Sequence, residues 1–245
     1  MSLPLQEPAS AALRRVYRWD LDKTYLQTDF DRLRDLLRSA IERAEAKQSV
    51  PGAAALLREL RRGEGCRVCF ISGSPRQMRR VLTEKLRLDG VQFDEFILKP
   101  NLSNLFRGRF RALREQVGYK LAELLEGRLR LPPVTREVLL GDDTEMDAYA
   151  YTLYRDAVRG ALSADRLATT LVQLGVDDDR RAQIASLLPE VRALVRPGSG
   201  VLLIGIRETD RPNHTHPARR VAGPGIVFHR DSAALAAALA AVHAL

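Results

Sequence analysis

Three short polar clusters in this chain hold the residue types that phosphoryl and metal chemistry uses. Asp20, Asp22 and Thr24 stand at alternate positions in WDLDKT; Ser72, Gly73 and Ser74 close FISGSP; Asp142, Asp143 and Asp147 lie in GDDTEMD. Each cluster follows an apolar run that reads as a strand, and acidic residues placed by chance would not prefer strand ends to helix faces. The carboxylates are therefore expected to converge. Carboxylates packed together repel and are driven toward protonation unless a divalent ion neutralises them. Hard oxygen ligands suit Mg²⁺, which prefers octahedral coordination at about 2.0 to 2.1 Å and combines one or two carboxylates with waters and a substrate phosphate.

The elements that would position these groups follow from the hydrophobic pattern. VYRW, residues 16–19, reads as a short strand ending at Asp20. Thr28 and Asp31 make a capping-box-like start for a helix whose apolar positions recur from Leu33 to Ala44. A second helix is expected after Ser49 and Pro51, through Leu56, Leu57 and Leu60, stopping at Gly63 and Gly65. The strand RVCFI comes next, and Ser74 with Pro75 reads as the cap and first turn of a helix through Met78, Val81, Leu82 and Leu86. FDEFIL suggests a third strand, and the basic stretch from Lys99 to Phe110 a loop or short hairpin over the site. Lys120 opens or sits within a helix, Pro132 and Pro133 break it, and the strand EVLLG leads to Asp142.

Beyond Asp147 the pattern predicts a helix through Tyr154 and Val158, then two amphipathic helices at about 164–174 and 178–195 separated by Gly175. VLLIGI and GIVF are two more strands, and an Ala-rich helix closes the chain from Asp231. Strands alternating with helices predict an α/β fold, a doubly wound parallel sheet with helices on both faces. In such sheets ligands bind beyond the carboxyl ends of the strands, where all three clusters fall.

In order and position, these motifs resemble those of the haloacid dehalogenase (HAD) superfamily. WDLDKTYL is similar to its first motif, FISGSP to its second, Lys120 falls where the third motif's lysine would stand, and Gly141, Asp142 and Asp147 match the fourth. The resemblance implies a Rossmann-like HAD fold and an Mg²⁺-dependent phosphomonoester hydrolase. Asp20 is then the nucleophile, splitting one hard displacement into two easier ones. Asp22 is the general acid that protonates the leaving oxygen and later activates water. Asp20, the backbone carbonyl of Asp22, and Asp142 would hold the metal. Ser72, Gly73 and Lys120 would bind the phosphoryl oxygens, with Thr24 and Asp147 orienting these groups from behind. Asp143 either binds a metal-bound water or takes over the ligand role of Asp142, and Lys99 is a rival to Lys120 for the phosphate.

Within the superfamily, Ser-x-Ser-Pro after the second strand, FILKP after the third and the Gly-Asp spacing are similar to the actin-patch-associated phosphatidate phosphatase family. Lys23 stands where that family usually carries an acidic residue. Residues 15–245 are expected to form one domain behind a tail of residues 1–14. It would carry a small helical insertion at about 28–48, another at about 160–196, and no large cap. An open site of this kind points to a large or lipid substrate.

A chain of 245 residues that is 45% hydrophobic can bury a real core. No stretch approaches the roughly 20 apolar residues of a bilayer span, and MSLPLQEPAS lacks the layout of a signal peptide, so a cytoplasmic location is expected. A net charge of +8 attracts anionic partners: a phosphorylated substrate, an anionic membrane or nucleic acid. A non-catalytic polyanion-binding module on the same scaffold is the alternative function. Arg107, Arg109 and Arg111 read either as contacts to such an anion or as a solvated loop. Cys66 and Cys69, spaced C-x-x-C with no second pair, read as packing residues, and the His214–x–His216 loop lacks a third metal ligand. The helices after residue 160 serve packing or a homodimer surface.

Overall fold

The computed structural model describes residues 13–27, 48–99, 109–143, 146–209 and 223–243, with the backbone alone for 109–115 and 243. Six strands, β1 (Arg15–Trp19), β2 (Cys66–Pro75), β3 (Glu95–Lys99), β4 (Arg136–Asp142), β5 (Gly200–Arg207) and β6 (Ile226–His229), form one sheet in the order β3-β2-β1-β4-β5-β6. All five pairings are parallel. Parallel strands covered on both faces read as continuous apolar runs, which is why VCFI, VLL and VLLIGI were legible as strands.

Side-chain alternation sends each strand's residues to two cores. On one face Ile71, Leu139, Ile204 and Ile206 meet α3 (Arg109–Leu129) and α4 (Asp147–Val158). Behind these lie α5 (Ala164–Gln173) and α6 (Asp178–Leu194), whose Leu167, Leu171, Ile184, Leu188 and Val191 join the same core. On the other face Tyr17, Trp19, Val68, Phe70, Val138 and Leu140 meet α1 (Ala53–Arg62), α2 (Arg79–Leu88) and α7 (Ser232–His243). The sheet is thus doubly wound, as the strand and helix alternation predicts. Packing, one of the two roles open for the helices after residue 160, is what their buried faces do.

Charged side chains sit inside the first core, among them Arg18 and Glu137. Arg18, on β1, donates from Nε to Glu137 Oε2 at 2.8 Å, and Tyr154 donates its hydroxyl to Glu137 Oε1 at 2.7 Å. Burial is the largest influence on Arg18 and opposes its charge, but the Glu137 carboxylate together with Tyr154 and Cys69 outweighs it, and the guanidinium stays firmly protonated. Gly127 makes room for it: a Cβ there would stand 2.6 Å from Arg18 Nη1, so α3 crosses the guanidinium only as glycine.

Two local expectations are corrected. Ser74 and Pro75 do not start a helix; β2 runs through them, and a short 3-10 turn, Arg76–Met78, intervenes before α2. The register of β2 against β3 shifts between Ser72 and Pro75, a bulge that takes the Ser74 hydroxyl off capping duty and turns it to Asp22. The basic stretch is shorter at both ends than its composition predicts, since Lys99 closes β3 and Arg109 already begins the 21-residue α3. Residues 100–108, the expected helix near 28–48, Arg107 and the His214–His216 loop lie outside the described residues, as do the side chains of Arg109 and Arg111.

Cys66 and Cys69 are three apart on β2 and pack into different cores. Burial pushes the Cys69 thiol up to about 11, which fits a packing role and removes it from thiolate chemistry. Among the described residues no helix is long and apolar enough to cross a membrane.

Candidate functional site

The chain leaves β1 in one direction to build β2 and β3, and returns to the other side of β1 with β4. The crevice between β1 and β4 at their carboxyl ends is therefore the switch point where ligands bind in this architecture. Trp19 pairs with Leu140, and Asp20 N donates to Leu140 O at 2.7 Å, so the ladder carries Asp20 out beside the end of β4. Asp142 ends β4, and Asp147 opens α4.

Asp20, Asp142 and Asp147 are each 0% exposed, and one carboxylate oxygen from each lies within 4.8 Å of the other two. Lys120, on α3, enters the same space. Its Nζ donates to Asp20 Oδ1 at 2.8 Å and also to Asp147 Oδ1. Thr24 donates its hydroxyl to Asp20 Oδ2 at 3.4 Å, and Asp142 N donates to Asp147 Oδ2 at 3.4 Å. Three carboxylates gathered here, with Lys120 bonded to two of them, concentrate negative charge, which is costly in a water-excluded pocket. All the donors are hard oxygens, the ligand type a divalent cation of the Mg²⁺ class takes, so the cluster is suited to hold one.

Asp147 can reach this cluster because residue 141 is glycine. A Cβ at Gly141 would stand 2.5 Å from Asp147 Cβ and 2.8 Å from its Cγ, closer than real Cβ atoms come. The glycine before the acidic pair is thus a packing requirement set by α4. Gly141→Ala is expected to cost about 1 to 3 kcal/mol by overpacking. It should cost roughly a hundredfold in turnover, since Asp147 and Lys120 must move together. Thermal unfolding beside steady-state kinetics checks both, and wild-type turnover would contradict it.

A second cluster lies alongside. Asp22 Oδ2 accepts from Ser72 Oγ at 2.9 Å and from Ser74 Oγ at 2.7 Å, while Ser72 Oγ accepts from Ser74 N at 2.9 Å. Asp22 Oδ1 is buried with no hydrogen-bond partner among the described residues. The loop carrying Asp22 is held tightly: Lys23 adopts φ 59°, its carbonyl accepts from Arg207 Nη1 at 2.7 Å, and Tyr25 donates its hydroxyl to Asp89. A non-glycine residue in the left-handed region costs on the order of 1 kcal/mol, which the surrounding contacts offset.

The expected residues fall into place unequally. Asp20, Lys120, Asp142 and Asp147 meet in one buried cluster; Thr24 touches it through Asp20; Ser72 and Asp22 form the neighbouring pair, with Gly73 between the two serines. Asp143 Oδ1 accepts from Thr209 N at 3.0 Å and Thr209 Oγ1 at 2.7 Å. Ser74, though counted in the second polar cluster, was read as a helix cap, and Thr209 was missed. Ser74 had a signal, because residues two apart on a strand share a face and Ser72 already pointed to the site. Thr209 had none, lying some 66 residues from its partner.

In comparisons with known proteins, the family model described as phosphatidate phosphatase APP1, catalytic domain, matches residues 19–162, more than half of the chain. That span begins one residue before Asp20, takes in both clusters and ends after α4. No curated protein matches the chain.

Proposed function

Because the chain belongs to the family of the phosphatidate phosphatase APP1 catalytic domain, we propose that it hydrolyses a phosphomonoester through a phosphorylated Asp20, by HAD-type chemistry. Phosphatidate on an anionic membrane is the substrate to test first. The observation carrying this reading is the buried meeting of Asp20, Asp142 and Asp147 on the Lys120 ammonium, at the strand switch point.

Asp20 attacks phosphorus, the bond from phosphorus to the ester oxygen breaks, and Asp22 gives its proton to that oxygen. In the second step water attacks phosphorus, Asp22 takes a proton from it, and the Asp20 carboxylate departs. The lone Oδ1 of Asp22 suits a group that exchanges a proton with ligands, while Ser72 and Ser74 fix its other oxygen. Lys120, the Gly73 backbone and the Ser72 hydroxyl, once its proton turns from Asp22, bind the phosphoryl oxygens, and Thr24 and Asp147 hold Asp20 and Lys120 in line. Mg²⁺, held by Asp20, Asp142 and the Asp22 carbonyl, would supply the positive charge that lets an anionic carboxylate approach an anionic phosphate.

The test is phosphate release from p-nitrophenyl phosphate and from phosphatidate in mixed vesicles. Turnover with Mg²⁺ should fall at least about a hundredfold with EDTA and return when Mg²⁺ is restored. Salt-sensitive vesicle binding without turnover on either substrate would instead support the polyanion-binding alternative.

A further inference from the structure

Gln116 is 5% exposed, lies in the middle of α3, and has no part in the chemistry above. It precedes Lys120 by four residues, so the two side chains share one face of the helix, one turn apart. Because α3 connects β3 to β4 in a parallel sheet, it starts at the carboxyl ends of the strands; Gln116 therefore lies on the outer side of Lys120. There its carboxamide rests on Gly73: a Cβ at Gly73 would stand 3.0 Å from Gln116 Nε2 and 3.5 Å from its Cδ. Gly73 separates the two serines that hold Asp22, so Gln116 and Asp22 abut the same three-residue segment.

Both residues carry an acceptor of the same kind. Gln116 Oε1 and Asp22 Oδ1 are buried without a hydrogen-bond partner among the described residues. A buried acceptor left unsatisfied costs about 1 to 3 kcal/mol, so two on side chains that abut one segment call for a donor that the described residues do not provide. Water has two protons to give.

We propose that Gln116 positions the water that releases the phosphate, an inference that rests on the aspartyl-phosphate reading. The water donates one hydrogen bond to Gln116 Oε1 and the other to Asp22 Oδ1. Its oxygen attacks phosphorus, the bond from phosphorus to the Asp20 oxygen breaks, the proton passes to Asp22, and inorganic phosphate leaves. A glutamine that orients an attacking water is a recurrent device in phosphoryl transfer. The first half-reaction needs no water, so Gln116 acts on the second alone.

Gln116→Met keeps the length and volume of the side chain and removes the acceptor, while Gln116→Glu keeps an acceptor oxygen. With p-nitrophenyl phosphate, Mg²⁺ and acid quench, Gln116→Met should lose about tenfold to a hundredfold in kcat. It should also release a burst of p-nitrophenol approaching one per enzyme and accumulate acid-stable phosphoenzyme. Gln116→Glu should release phosphate faster than Gln116→Met. A merely structural role would slow both steps and give no burst. Phosphoenzyme trapped on wild type, but not enriched in Gln116→Met, overturns the assignment alone. An unlabelled wild type with full turnover in Asp20→Asn overturns the aspartyl-phosphate reading, and the Gln116 assignment with it. If Gln116→Met does not fold, Gln116→Leu takes the same test.

Discussion

Asp20→Asn is expected to lose at least about 10³-fold in phosphatase turnover while leaving the metal-free protein as stable as wild type or more so. The two effects have one cause. A carboxamide cannot form the acyl phosphate, and losses of this order are typical when a nucleophile is removed. Yet the substitution also deletes one of three buried negative charges that lie within 4.8 Å of one another. Lys120 keeps Asp147 as its partner, so no buried cation is stranded. The wild-type cluster gives up stability for function, as active sites often do. Phosphate release and thermal unfolding in EDTA, run side by side, check the pair of expectations. A large drop in melting temperature would show that Asp20 is a structural ion-pair partner above all.

The sequence made this cluster legible where the chemistry is local and hid it where packing decides. Asp20 and Asp142 were readable because each ends a strand buried on both faces, and such strands appear as apolar runs whatever their neighbours are. Ser74 was misread because Ser-Pro is a strong local signal for a helix start. Its hydroxyl is claimed by Asp22, 52 residues earlier, and nothing near Ser74 announces that partner. Local propensity lost there to a tertiary hydrogen bond. Asp147 was read as a supporting group on its match to the fourth motif. The room at Gly141 is what brings its carboxylate into the cluster. Arg18 stands between Tyr17 and Trp19, and Glu137 between Arg136 and Val138, and neither setting announces the other as a partner. The two neutralise each other inside the core, across 119 residues of chain.

Lys120→Met should damage both activity and folding, and a divalent cation should partly repair the folding. Lys120 is 1% exposed and donates to Asp20 and Asp147 at once, so its loss takes away the ammonium that these two carboxylates share. Removing one partner of a buried ion pair typically costs about 3 to 5 kcal/mol, because the other charges stay desolvated. Removing a cation that offsets charge on the reacting phosphoryl group costs about 10² to 10³ in turnover. An ion binding only the folded state stabilises it by mass action, and a cluster stripped of its ammonium has more to gain from one. The rise in melting temperature on adding Mg²⁺ should therefore be larger for Lys120→Met than for wild type, while turnover stays low. Asp20→Asn should show the opposite ordering, a smaller rise than wild type, since it takes away a ligand as well as a charge. Equal shifts in all three proteins would mean that Mg²⁺ does not bind at these carboxylates, and the metal site would have to be sought elsewhere.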